Sequence, residues 1–301
     1  MALHVALWSL YISSFVLGEK EPGSDERNQM LDSMIPGSSP VDWCEDNYSI
    51  VSSVAEFVNT MSNFGFLLFP PVLLILFQPY AQHIQREIYF VWILLIIVGL
   101  CSMYFHATLS LLGQLLDEMA ILWLMMFSLS LWYPNRYHLP YFRENKRHFK
   151  ILMMVATILC SFLGCVNPVL NAFALIGMGI PTSIIMMVEL RRLGEGKAMR
   201  LGIRSSFLWG AALFCWINDR LFCDAWSSIQ FPYLHGFWHV LVCIAAYSGC
   251  VLFAYFHART ECPNEKPVLQ FWPSEKCEIL SFPYVALRAR RPADPEHVKD
   301  Y

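Results

Sequence analysis

Seven runs of apolar residues, each close to membrane length, constrain this 301-residue chain more than any other feature. They are Val54–Phe77, Ile88–Phe105, Leu115–Tyr133, Phe149–Val166, Val169–Leu190, Ser206–Phe222 and Gly236–Phe256. A helix needs about 20 such residues to cross a bilayer. In lipid each backbone N–H and C=O must be satisfied within its own segment, which leaves the helix as the form these runs can take. The expected fold class is therefore all-α, a polytopic membrane protein with seven transmembrane helices. The composition agrees, with 56% hydrophobic and 15% charged residues, where soluble domains carry about 25% charged residues. No basic stripe with interleaved aromatics occurs, so nucleic acid is excluded as a partner. The runs leave only short loops, which predicts one domain over residues 41–258, an N-terminal extension over 1–40 and a tail over 259–301.

The distribution of lysine and arginine gives the orientation. One loop holds Arg136, Arg143, Lys146, Arg147 and Lys150, and a later one holds Arg191, Arg192, Lys197, Arg200 and Arg204. The connections between runs two and three, and between four and five, hold none. By the positive-inside rule the basic loops and the C-terminus face the cytosol. Seven spans then put the N-terminus in a lumen or outside the cell.

That topology gathers the polar residues of the spans. Ser102 and His106 lie near the luminal end of the second run, Asp117 opens the third, and His235 and His239 open the seventh. Ionisable groups at membrane depth are costly and mark function by default. Residues four apart share a helix face, so each pair points one way. Three neutral imidazoles suit zinc, and catalytic zinc sites use three protein ligands plus water. His106, His235 and His239 are the candidate ligands, Asp117 the proton carrier and Ser102 a donor to the reacting oxygen. Such a set fits hydrolysis of an amide or ester whose chains lie between helices. His235-Gly-Phe-Trp-His239 lacks the glutamate of the soluble metalloprotease motif. Asp219-Arg220 reads as an ion pair, and His4, His83, His138, His148, His257 and His297 read as incidental.

Ala2–Leu17 is a short apolar stretch, either a signal-like segment, an interfacial helix or a further span, and the polar stretch after it reads as disordered. The segment Asp42-Trp43-Cys44-Glu45-Asp46-Asn47-Tyr48, with Glu56 at the mouth of the first run, is rich in oxygen-bearing side chains. It could take a hard cation, or act as an acidic cap on the first helix. Asn47-Tyr48-Ser49 also fits a glycosylation sequon. Of the ten cysteines, Cys44 and Cys223 fall at the luminal surface, where a disulfide can persist. Cys165 is a rival partner there.

These segments resemble the alkaline ceramidases, seven-span hydrolases of a superfamily that includes adiponectin-type receptors. The resemblance rests on the 42–48 segment, on Ala55-Glu56-Phe57-Val58-Asn59-Thr60, and on the stretch from Ser102 through His106 to Asp117-Glu118. It rests also on Phe231-Pro-Tyr-Leu-His235-Gly-Phe-Trp-His239, Phe271-Trp-Pro-Ser and Pro283-Tyr. It spans about Val41 to Leu287, while residues 1–40 do not align. It implies zinc on His106, His235 and His239, with Asp117 and Ser102 around the water. It implies calcium on Asp42, Trp43 (through its carbonyl), Glu45, Asn47 and Glu56, and a Cys44–Cys223 disulfide. The implied reaction is ceramide plus water giving sphingosine and a fatty acid, with ceramide and membrane lipid as partners and no obligate protein partner. Cys44-Glu45-Asp46-Asn47-Tyr48 and Phe231-Pro-Tyr-Leu-His235 resemble the Golgi-type branch most. That implies a multi-pass Golgi membrane protein, with the endoplasmic reticulum as the alternative. The rival function is a seven-span receptor that keeps zinc for structure, which would have no need of Asp117 or Ser102.

Overall fold

The structure, a computed structural model, describes residues 32–288. The expectations for Ala2–Leu17 and for the last residues of the tail lie outside the described residues. Helices dominate. Helix α1 (Phe57–Ser62) continues into α2 (Phe64–Leu76) and is followed by short α3 (Gln78–His83). Then come α4 (Ile88–Thr108), α5 (Leu111–Trp132), short α6 (Pro140–Glu144) and α7 (Lys146–Val166). Helices α8 (Pro168–Leu193), α9 (Gly196–Leu221), short α10 (Cys223–Ser228) and α11 (Leu234–Glu261) complete the set.

Six helical segments are long and apolar enough to cross a membrane: Phe57–Leu76, Ile88–Thr108, Leu111–Trp132, Lys146–Val166, Phe173–Leu193 and Leu234–Glu261. They coincide with six of the seven expected runs. The remaining run, Ser206–Phe222, falls in α9 and its C-cap, and the first turns of that helix carry Lys197, Arg200 and Arg204. Its apolar part, from Ser206 onward, reaches only about 24 Å at 1.5 Å per residue.

The bundle has two chemically different ends. At one end, ion pairs lace the basic loops together: Arg136 with Glu189 at 2.8 Å, Lys146 with Glu261 at 2.7 Å and Lys150 with Glu87 at 3.4 Å. At the other end, α4 stops at Leu109, which takes a left-handed φ of 47°. Ser110 then caps α5, its Oγ accepting from the Gly113 N–H at 3.1 Å. This two-residue turn sets α4 and α5 side by side, and a Cβ on Gly113 would come within 2.9 Å of the Phe105 backbone.

The segment before α1 straps across that turn. The N–H groups of Gly37 and Ser39 donate to the carbonyls of Thr108 and Leu109, each at 2.9 Å. Those of Ala55 and Glu56 donate to Ala107 and His106, each at 3.0 Å. A disulfide joins Cys44 to Cys223, with Cα atoms 5.4 Å apart. Cys165 is a free, exposed thiol.

The all-α expectation is departed from in the tail. Strands β1 (Pro267–Trp272) and β2 (Phe282–Leu287) form an antiparallel hairpin, Pro267 opposite Leu287 and Trp272 opposite Phe282. Leu269, Phe271 and Val285 are buried in the main apolar core. Two-residue alternation puts them on one face, so the segment expected as a tail is part of the packed body. The hairpin also grips the base of α9. Lys197 pairs with Glu275 at 2.5 Å, Arg200 reaches both oxygens of Glu278 at 3.0 and 2.5 Å, and Arg204 donates to the Glu278 carbonyl.

Candidate metal centre

His106, on α4, and His235 and His239, one turn apart on α11, converge at the strap end of the bundle. Their nearest ring nitrogens all lie within 4.8 Å of one another, and all three residues are buried. Each ring is held from behind. His106 Nδ1 lies 2.5 Å from the Glu56 carboxylate, which fixes that nitrogen as the donor. Its Nε2 is buried and without a partner. His239 Nδ1 lies 2.7 Å from Ser62 Oγ and 3.3 Å from Asn63 Nδ2. His235 stacks face to face on Trp43, centroids 3.6 Å apart, and its Nδ1 is buried and unpartnered. Buried polar atoms are almost always hydrogen-bonded. Two orphaned imidazole nitrogens facing a third histidine are what a bound cation would satisfy. An all-nitrogen donor set with supported rings fits zinc.

Ser102 lies one turn before His106, its Oγ 3.5 Å from His239 Nε2. On α5, half-buried Asp117 lies near the same hydroxyl. All five sequence-predicted residues of the centre are therefore brought together.

The predicted calcium residues lie next to it. Both Glu45 oxygens accept backbone N–H groups, from Val58 at 2.6 Å and Asn59 at 2.8 Å, so Glu45 caps α1. Burial holds its carboxyl above the usual glutamate value, against those two hydrogen bonds and with the neighbouring charge of Glu56 adding to the rise. Glu56 accepts from the Trp43 N–H at 3.0 Å, from Asn59 Nδ2 at 3.0 Å and from His106. Asn47 Nδ2 donates to Asp42 at 3.1 and 3.2 Å. The capping reading and the cation reading thus describe the same carboxylates.

The expected Asp219–Arg220 ion pair is not what forms. Asp219 accepts from the N–H groups of Cys44 and His235, each at 3.1 Å. Arg220 donates to the Asp42 carbonyl at 2.9 Å and sits over the Trp43 ring. Consecutive helical residues point about 100° apart, so each finds its own partner. His138 lies away from the centre, buried and packed against Phe149 with ring centroids 4.4 Å apart. Sequence reading passed over Ser62 and Asn63. The signal was present, since Asn59-Thr60-Met61-Ser62-Asn63 is a polar run inside an apolar span.

Fold and centre together define a class: helical proteins with membrane-length segments around a buried three-histidine site. The sequence profile of the family described as Ceramidase matches residues 35–286, and the chain belongs to that family. It is an enzyme of the alkaline ceramidase type. It is 53% identical over 253 residues to "Alkaline ceramidase" of Drosophila melanogaster, covering 84% of this chain and 89% of that one. It is 42% identical over 251 residues to "Alkaline ceramidase 1" of Homo sapiens, covering 83% and 95%. A Caenorhabditis elegans "Alkaline ceramidase" is 32% identical over 253 residues, covering 82% and 93%.

Proposed function

We propose that this chain is a zinc-dependent intramembrane amidase that hydrolyses ceramide to sphingosine and a fatty acid. The observation that carries the reading is the buried three-histidine cluster with Asp117 and Ser102 beside it, in a chain of the ceramidase family. Zinc held by His106, His235 and His239 would polarise the amide and acidify a water. Asp117 takes a proton from the attacking water as its oxygen bonds to the carbonyl carbon. Ser102 donates to the oxygen that gains charge. Asp117 then returns the proton to the amide nitrogen as the C–N bond breaks, releasing the amine. The receptor alternative is not favoured, because the relatives are named as ceramidases and a structural site has no use for the Ser102–Asp117 pair.

Calcium is assigned to Asp42, the Trp43 carbonyl, Glu45, Asn47 and Glu56. Glu56 meets the like charges of both Asp42 and Glu45 across this strap, and a divalent cation would relieve that repulsion. Glu56 would then link the two ions, since it also contacts His106. The topology assigned is α9 as a seventh span, the strap and histidines luminal, and the basic loops and hairpin cytosolic. A Golgi membrane is the compartment this reading favours, with the endoplasmic reticulum second.

The test compares sphingosine release by wild type, His235→Ala and Asp117→Asn, with zinc measured on each purified protein. Asp117→Asn should keep its zinc and lose about 10²- to 10⁴-fold in rate. Zinc-loaded, folded wild type that leaves ceramide intact would sink the amidase reading.

A further inference from the structure

The end of the bundle far from the histidines holds a second concentration of charge that hydrolysis does not use. Two adjoining cavities, of about 360 Å³ and about 400 Å³, share Glu189, Phe256 and Thr260 as walls. Lys146, Arg147 and Lys150 line the first, and Arg136, Arg192 and Arg259 line the second. The carboxylates among the lining residues are Glu189 and Glu261, already taken by Arg136 and Lys146. Arg147, Arg192 and Arg259 form no ion pair among the described residues. The surplus positive charge therefore faces the cavities without an internal partner. Two buried acceptors in the first wall, Gln85 Oε1 and Asn135 Oδ1, also lack hydrogen-bond partners.

Arginine forks match phosphate oxygens in pairs, and carboxamide oxygens accept from hydroxyls. The outer face of α7 says how such a group arrives. Directly beyond Lys150, Leu152, Val155, Leu159 and Phe162 are 48%, 52%, 55% and 66% exposed. A charged cavity at the rim that continues into a bare apolar helix face suits a molecule with a phosphate head and acyl chains. Basic pockets between spans on the cytosolic side take such headgroups. The place is separate from the centre: His257, in the first wall, follows His239 by 18 residues, about 27 Å along α11.

We infer that these joined cavities bind the phosphorylated, hydroxyl-bearing headgroup of an anionic phospholipid, with its chains lying along α7. Bound lipid ties α5, α7, α8 and α11 together at the end opposite the histidines.

The test uses the full-length protein in phosphatidylcholine nanodiscs and a fluorescent phosphatidylinositol 4-phosphate as probe. Wild type should bind it saturably and lose affinity as salt rises. The variant R147Q/R192Q/R259Q should bind at least tenfold more weakly. R143Q/K266Q/K276Q, which removes the same charge from outside the cavities, should bind as wild type does. Equal weakening in both variants, or none in the first, would overturn the site in favour of general surface charge. Displacement by oleate as effective as by the unlabelled lipid would overturn the phosphate assignment. Binding of inositol 1,4-bisphosphate as tight as that of the lipid would overturn the membrane source. Ceramide hydrolysis, followed in parallel, reports on the histidine centre separately, so failure of one reading leaves the other standing.

Discussion

Ser62 sits behind His239, its hydroxyl 2.7 Å from Nδ1, and Glu56 sits behind His106. Groups placed this way fix which ring nitrogen is free to bind a metal, and their loss costs about 10- to 100-fold in metal affinity. Ser62→Ala should therefore raise the zinc dissociation constant by about tenfold, as read by competition with a chelator. Hydrolysis at saturating zinc should change much less. An unchanged zinc affinity would show that Asn63, 3.3 Å from the same nitrogen, holds the ring alone. The three histidines, Asp117 and Ser102 were legible because each is an expensive residue in an apolar run, at helical spacing. Ser62 and Asp219 were not. Their roles come from contacts with His239 and Cys44, 177 and 175 residues away, which no local pattern encodes.

The hairpin is the element that sequence reading missed. Two apolar strands of six residues each, set among charged residues after a long apolar helix, are too short to read as spans and carry no turn signal that pairs them. What makes them structure is the packing of Leu269, Phe271 and Val285 under the bundle and the Arg200–Glu278 grip on α9. The Arg200 hydrogen bonds hold the Glu278 carboxyl below the usual glutamate value, with burial opposing and the charges of Arg200, Lys197 and Arg204 helping. The folded value thus lies under the unfolded one. The resulting stability is present above the ordinary glutamate range and is lost as pH falls through the folded value. Glu278→Gln should lower Tm at neutral pH, and the gap from wild type should close on acidification below the glutamate range. A gap that stays constant with pH would mean that the side chain's packing, rather than its charge, matters. Helix positions were far more legible than this hairpin, because membrane-length apolar runs permit one backbone solution, while a short strand pair is decided by what it packs against.

Across the whole molecule, the charged and histidine ends impose a sidedness that can be read with one thiol. Cys277 is free and exposed, between the two strands that grip the basic end. In cells, an impermeant maleimide should label it once the plasma membrane alone is permeabilised. Labelling that requires opening the internal membranes would invert the proposed topology. The order of helices was legible from hydropathy and charge. The strap over residues 37–56 was not, because its partners are backbone carbonyls and an N–H at the α4–α5 turn.

That strap makes the site depend on residues outside the helices. Trp43 is one wall of His235, Glu56 steadies His106, and Cys44 is tied to Cys223. A transcript whose first codon fell after position 56 would still encode all three histidines, Ser102 and Asp117. By any motif scan it would count as an intact enzyme. Its product should nonetheless be a poor hydrolase, and expressing that shortened form beside the full chain, with sphingosine release per folded molecule compared, would measure how much of the catalyst is written before its first span.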